Sequence, residues 1–291
     1  MRVSQMFSQQ VYLRTLKQTK SDLDATLAQL SSGKRVQYAS DDPEAAKELL
    51  QLADETQQLT LRKNGISQAR PWLQNTEQAL TNLSTTLQSA LTYGLQGSSS
   101  TMQQAERDAL AEQIAGLRSQ VNGLTNLQVA GHYIFSGTLT DTAPYDASGV
   151  YQGNETQIQI PVDDGTTPIN LPGDQVFGNS SSGPLKLLGD LETALRSGTA
   201  ADVQGLLDPL RAAISKNAAT LARVGNYRKQ LEDADARIDD RMLEVKSRAN
   251  DIGSADMAQT VSDVAKYTQG HEATLAAGAR LYGSTFFDYL S

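Results

Sequence analysis

Residues 52–87 read LADETQQLTLRKNGISQARPWLQNTEQALTNLSTTL, and within them Leu52, Leu59, Ile66, Leu73, Leu80 and Leu87 recur every seven positions without a miss. Spacing of seven puts side chains on one stripe of an α-helix, and an apolar stripe needs a second helix laid along it. A matching stripe lies towards the other end of the chain. Val203, Leu210, Val224, Leu231, Ile238, Val245 and Ile252 follow the same spacing, with Asn217 alone out of type, and Leu207, Ile214, Leu221 and Met242 fill companion positions. The expected fold is mainly α: a long antiparallel helical bundle, or coiled-coil rod, built from both ends of the chain, with a small inserted β-rich domain.

Outward from these stripes, a first helix is expected over 3–32. Met6, Leu13, Leu16, Leu23, Leu27 and Leu30 fit one heptad frame, broken by Gln9 and Lys20. Gly33 stands where a C′ glycine belongs, followed by Lys34 and Arg35. Ser40-Asp41-Asp42-Pro43 then opens the next helix, with Asp42 as N-cap and Pro43 at the first helical position, where no N–H is missed. Pro71 predicts a kink or a break within that helix. Gly94–Thr101 reads as a Gly/Ser turn, and Leu110, Ile114, Leu117, Val121 and Leu124 share one face of a third helix.

From Gly131 to about Gly183 the chain is rich in Gly, Pro, Asp, Asn and Thr. Ile158, Ile160 and Val162 alternate at period two, and Asp164-Gly165 predicts a hairpin turn between them and Ile169-Asn170-Leu171. A short helix over 185–196 leads back into the second stripe. A last helix follows Gly253 and carries Met257, Val261, Val264, His271 and Leu275 on one face, and the chain closes on Leu281, Tyr282, Phe286, Phe287, Tyr289 and Leu290. The expected division is 1–42 with 253–291 as terminal helices, 43–130 with 185–252 as the rod, and 131–184 as the insert.

Composition narrows the function. The 291 residues are 39% hydrophobic but 5% aromatic, which suits extended helices better than a globular enzyme core, and the net charge of −8 argues against nucleic-acid binding. There is no cysteine, hence neither a disulfide nor a thiolate metal site. No apolar run approaches a membrane span, so no membrane insertion is expected, and residues 1–10 lack the features of a cleaved secretory signal. Nothing resembles a reactive constellation: Asp41-Asp42 reads as capping, Asp239-Asp240 as a solvated helix face, and His271 beside Glu272 lacks the spacing of a helical metal pair. No cofactor and no catalytic residue is expected. An enzyme with its site near Asp163 and Asp164 of the insert, or a secreted helical adhesin, are the readings from other classes.

Two segments carry a family resemblance. Leu30-Ser31-Ser32-Gly33-Lys34-Arg35-Val36, followed by Ser40-Asp41-Asp42-Pro43-Glu44-Ala45-Ala46, resembles the N-terminal signature of the bacterial flagellin superfamily. Ile252-Gly253-Ser254-Ala255-Asp256-Met257-Ala258 resembles that superfamily's turn into its last helix, departing at Gly253-Ser254, where flagellins often carry an acidic pair. Gly131-His132-Tyr133-Ile134-Phe135-Ser136-Gly137 with Thr142-Ala143-Pro144-Tyr145 is similar to the entry into the β domain of the hook–filament junction branch. The resemblance implies a structural flagellar part, exported through the flagellar type III apparatus without a cleaved signal. It implies a homo-oligomeric ring between an adjacent hook-associated protein and flagellin, with a flagellar export chaperone holding the C-terminal region. A filament flagellin is the alternative within the superfamily.

The resemblance also implies terminal helices that order on assembly. The expected assembly interface is Met6, Leu13, Leu16, Leu23, Leu27, Leu30, Val261, Val264, Leu275, Leu281, Phe286, Phe287 and Leu290. Gly33, Arg35, Asp41, Asp42 and Pro43 form the expected helix-linking motif. These terminal stripes are thin and interrupted, so an isolated pair would struggle to offset about 1–2 kcal/mol of backbone entropy per residue.

Overall fold

The structure is a computed structural model that describes residues 2–146, 149–162, 165–179 and 181–287, and side chains within them except those of 2–6, 8–9 and 281–287. Its elements in chain order are α1 (Arg2–Ser32), α2 (Pro43–Gly97), α3 (Gln104–Thr125), β1 (Gln128–Val129), β2 (His132–Tyr133), β3 (Gln159–Val162), β4 (Gly165–Pro168), α4 (Gly173–Val176), α5 (Pro184–Ser197), α6 (Ala200–Gly253) and α7 (Met257–Phe287). They form two compact units: Met1–Gln58 with Asp240–Ser291, and Leu59–Asp239.

The two long stripes form the cores. Ile66, Leu73, Leu80 and Leu87 are completely buried, Leu52 and Leu59 nearly so, and Val203, Leu210, Val224, Leu231, Ile238 and Val245 are buried on α6. Charged pairs flank the seam between α2 and α6: Arg70–Asp235 at 2.8 Å and Arg228–Glu77 at 3.4 Å in one unit, Arg241–Glu55 at 2.7 Å in the other. Asn217, the polar break in the stripe, is itself buried and donates through Nδ2 to the Leu80 carbonyl at 2.9 Å. A capping box starts α6, with Thr199 N–H donating to Asp202 and Asp202 N–H donating back to Thr199 Oγ1.

Of the kink or break expected at Pro71 the break is not seen, and the turn expected from Gly94 begins later in the chain. Helix α2 continues unbroken through Pro71. Proline inside a helix costs about 3 kcal/mol, but Ile66 and Leu73 on either side are fully buried, and each such burial contributes about 1.5–3 kcal/mol. The expected turn at Gly94 is helix as far as Gly97. A Cβ on Gly94 would lie 3.0 Å from Leu207 Cδ2, and one on Gly97 would collide with Leu195. Gly94 admits a leucine from α6 rather than ending the helix, and Gly97, its last residue, admits one from α5.

The segment between α3 and α5 holds less strand than its composition predicts. β1 and β2 pair antiparallel with Val129 opposite His132, and both loop residues between them, Ala130 and Gly131, have positive φ, as a primed two-residue turn requires. β3 pairs antiparallel with β4, Val162 opposite Gly165. The second strand is therefore Gly165–Pro168, while Ile169, Asn170 and Leu171 follow it as buried residues. Asp163 and Asp164 lie outside the described residues.

Aromatic packing holds the rest of this segment. Phe135 meets Phe177 edge-on, centroids 4.9 Å apart, and the Tyr145 hydroxyl donates to the Gly178 carbonyl. The Tyr151 hydroxyl lies 3.0 Å from the Phe135 carbonyl and 2.9 Å from that of Asn154.

Candidate functional site

Residues 33–46 join α1 to α2 and meet the turn between α6 and α7. Gly33 ends α1 with φ of 68° and donates to the Gln29 carbonyl at 2.8 Å. Its own carbonyl accepts from Ala255 N–H, and Arg35 N–H donates to the Gly253 carbonyl at 2.8 Å, so one short antiparallel bridge ties both turns. The Arg35 side chain then does two things. Nε and Nη2 donate to the Ile252 carbonyl, a free group at the end of α6, at 3.2 and 2.8 Å, while Nη1 donates to Asp42 at 2.9 Å. Asp41 accepts from the amides of Gln37 and Tyr38, and Asp42 accepts from Ala45 N–H at 3.0 Å at the start of α2, next to Pro43. The Ala45 amide, helped by Arg35, holds the Asp42 carboxyl below its ordinary value. On the other turn Asp256 caps α7 by accepting from Ala258 and Gln259 N–H.

Four helix ends are thus fastened by backbone and side-chain hydrogen bonds at one place. The arrangement sets the register of α1 against α7. Thr19 Oγ1 meets His271 Nδ1 at 3.3 Å, and Tyr12 lies over Gly278, seven residues further along both helices. The pair is antiparallel. The face that α1 turns to α7 is Tyr12, Leu16, Thr19, Leu23, Thr26 and Leu30, all partly or fully buried; the face of α7 is Thr260, Val264, Tyr267, His271, Thr274 and Gly278. Both sets alternate by three and four, the seam of a two-stranded coiled coil.

The single apolar frame expected on α1 is therefore split in two. Leu16, Leu23 and Leu30 are in the seam, whereas Leu13 and Leu27 are left outside it at 49% and 43% exposure. On α7, Val264 is in the seam, while Val261 and Leu275 remain 54% and 46% exposed. Met6, Leu281, Phe286 and Phe287 belong to these helices, but their side chains lie outside the described set, as does Leu290 altogether. The seam residues Tyr12, Thr19, Thr26 and Gly278 escape a search for apolar positions. Their seven-residue spacing is the signal that identifies them.

Among the described residues no group of three His, Cys, Asp or Glu side chains could hold a metal ion, and no helix is long and apolar enough to cross a membrane. His132 pairs with Asp141 at 3.0 Å on the surface.

Residues 3–140 match the family model of the bacterial flagellin N-terminal helical region. The chain is 27% identical to flagellar hook-associated protein 3 of Escherichia coli K12 over 99% of both chains, and 32% identical to that of Salmonella typhimurium over 53% of this chain and 50% of the other. Among solved structures, a flagellar hook-associated protein from Vibrio parahaemolyticus shares the fold with a TM-score of 0.67 at 22% identity, covering 74% of this chain and 100% of that one. Hook-associated protein 3 of Legionella pneumophila does so at 0.62 and 16%, over 69% and 98%. These relatives are named as structural parts of the flagellum, not as enzymes. The chain's N-terminal part thus resembles the bacterial flagellin N-terminal helical region, and its likeness to curated relatives falls on flagellar hook-associated protein 3.

Proposed function

We infer that this chain is a structural component of the bacterial flagellum that joins hook to filament. Its copies form a ring between a hook-associated partner and flagellin. The chain leaves the cell through the flagellar export apparatus without a cleaved signal, with a chaperone on its C-terminal region. Residues 1–42 and 253–291 are the assembly region, and 43–130 with 185–252 the bundle that carries the 131–184 insert.

One observation carries this reading. Side chains of the inner stripe on α2 are 0–8% exposed, whereas Phe7, Val11, Leu13, Leu27, Met257, Val261 and Leu275 on the terminal helices are 43–68% exposed. Full burial of each such side chain contributes about 1.5–3 kcal/mol. The seam they leave behind is half polar, built on Thr19, Thr26 and His271. Neighbouring subunits supply the missing burial, so the terminal helices gain their full order on assembly.

The test is growth on seeds. Purified chain is mixed with hook–filament ends and imaged, with flagellin absent. A single finite layer is expected. Indefinite growth on plain filament seeds would instead make the chain a filament flagellin.

A further inference from the structure

The exposed apolar side chains of the terminal pair are not scattered. At about 100° per residue, Leu13, Lys20 and Leu27 sit about 60–100° to one side of the α1 seam. Val261 and Leu275 sit about 60–100° to the same rotational side of the α7 seam. Because the helices are antiparallel, as Tyr12 over Gly278 and Thr19 against His271 establish, these two flanks lie on one side of the pair. They form one two-helix face, interrupted midway by Lys20. Phe7 and Val11, 68% and 48% exposed, lie about 100–140° the other way round α1. They form a second patch, one helical turn long, on the opposite side.

Two unlike apolar patches on opposite sides of one element cannot both be closed by a two-fold contact, which buries the same patch on both copies. They are closed by a head-to-tail contact, which can run round a ring. The levels agree. Residues facing each other across the seam have numbers summing to 290, as in 12 with 278, so Leu275 stands opposite position 15 of α1. Leu13 and Leu275 therefore lie within about one turn of the level of Val11 and about two turns of that of Phe7, a smaller axial step than any contact through Leu27 or Val261 would need. Leu27 and Val261 lie several turns away.

Resting on the assembly reading above, we propose that Phe7 and Val11 of one copy seat on Leu13 and Leu275 of a second copy. This contact is the lateral joint of the assembly.

The chain contains no cysteine, so introduced thiols report contacts without background. Val11→Cys chain and Leu275→Cys chain are prepared separately, checked for native helix content, assembled singly and as an equal mixture, and treated with a short bismaleimide. The mixture is expected to give cross-linked dimers, and neither single variant to do so. Cross-linked Val11→Cys homodimers would show a two-fold contact, and an uncross-linked mixture in assembled material would place the joint elsewhere. Either result overturns the proposal while leaving assembly through the terminal helices standing. Failure of both variants and of the native chain to assemble on seeds would remove the reading beneath the proposal together with the proposal itself.

Discussion

The ring of Tyr12 on α1 lies directly against Gly278 on α7, where a Cβ would collide with its hydroxyl and ring. This close approach aligns the two terminal helices and turns Leu13 and Leu275 to the outside. In an exposed helix interior, Gly→Ala gains about 1 kcal/mol on propensity alone. Gly278→Ala is expected to lose stability instead, and Tyr12→Ala in the same chain to recover it. The measurement is protease protection of α1 and α7. A Gly278→Ala chain at least as protected as the native one would show that the contact does not set the pairing.

The linker makes a pH-dependent contribution. The Asp42 carboxyl is held low first by the Ala45 amide and then by Arg35. A lowered folded value means that the stabilisation is complete above the unfolded carboxylate value of about 4, and is lost as pH falls through the lower folded value. Protection of the Ala45 amide should therefore be flat from neutral pH to about 4 and decline below it. Asp42→Asn should remove the dependence, and Arg35→Gln should move it upward. Amide exchange followed by NMR reads both; an unchanged profile in Asp42→Asn would assign the effect to another group.

Asn217 occupies a heptad position, and its Oδ1 is buried without a hydrogen-bond partner. A buried orphan of this kind costs about 1–3 kcal/mol in protein mutational data. The residue also lines a cleft of about 280 Å³ that gives a larger side chain room. Asn217→Leu should raise the free energy of unfolding by about 1 kcal/mol. A loss in denaturant titration would show that the bond to the Leu80 carbonyl outweighs the orphaned oxygen.

The insert is tied by two phenols. Tyr145→Phe removes the donor from the buried Gly178 carbonyl and should cost about 1–3 kcal/mol. Burial raises both hydroxyls, that of Tyr151 to about 12 and that of Tyr145 further. Their stabilisation is therefore complete below the unfolded phenol value of about 10 and is lost as pH rises through the folded values. Ultraviolet titration should show these two tyrosines ionising together with unfolding. Ionisation near pH 10 in a folded chain would contradict the burial.

Much of this architecture was legible in the sequence. The stripe from Leu52 to Leu87 is readable because strong, regular burial leaves an apolar residue at every seventh position. Asp42-Pro43 is readable because capping is local chemistry. The α1–α7 seam was not, because threonine, tyrosine, histidine and glycine fill it and apolar counting assigns Leu13 and Leu27 to it instead. Gly94 was misread because its reason for being glycine, the approach of Leu207, comes from a residue far along the chain. The continuity of α2 through Pro71 is not legible because the loss of one backbone bond is local, whereas the burial that offsets it depends on the partner helix.

The central claim is that the terminal helices carry assembly, and removing them tests it most directly. A chain lacking about 35 residues from each end keeps the inner stripes of α2 and α6. Its binding to hook–filament ends, measured beside the full chain with far-ultraviolet circular dichroism confirming retained helix, should fall by at least about a hundredfold, equivalent to about 2.7 kcal/mol. Native-affinity binding by the trimmed chain would contradict the claim.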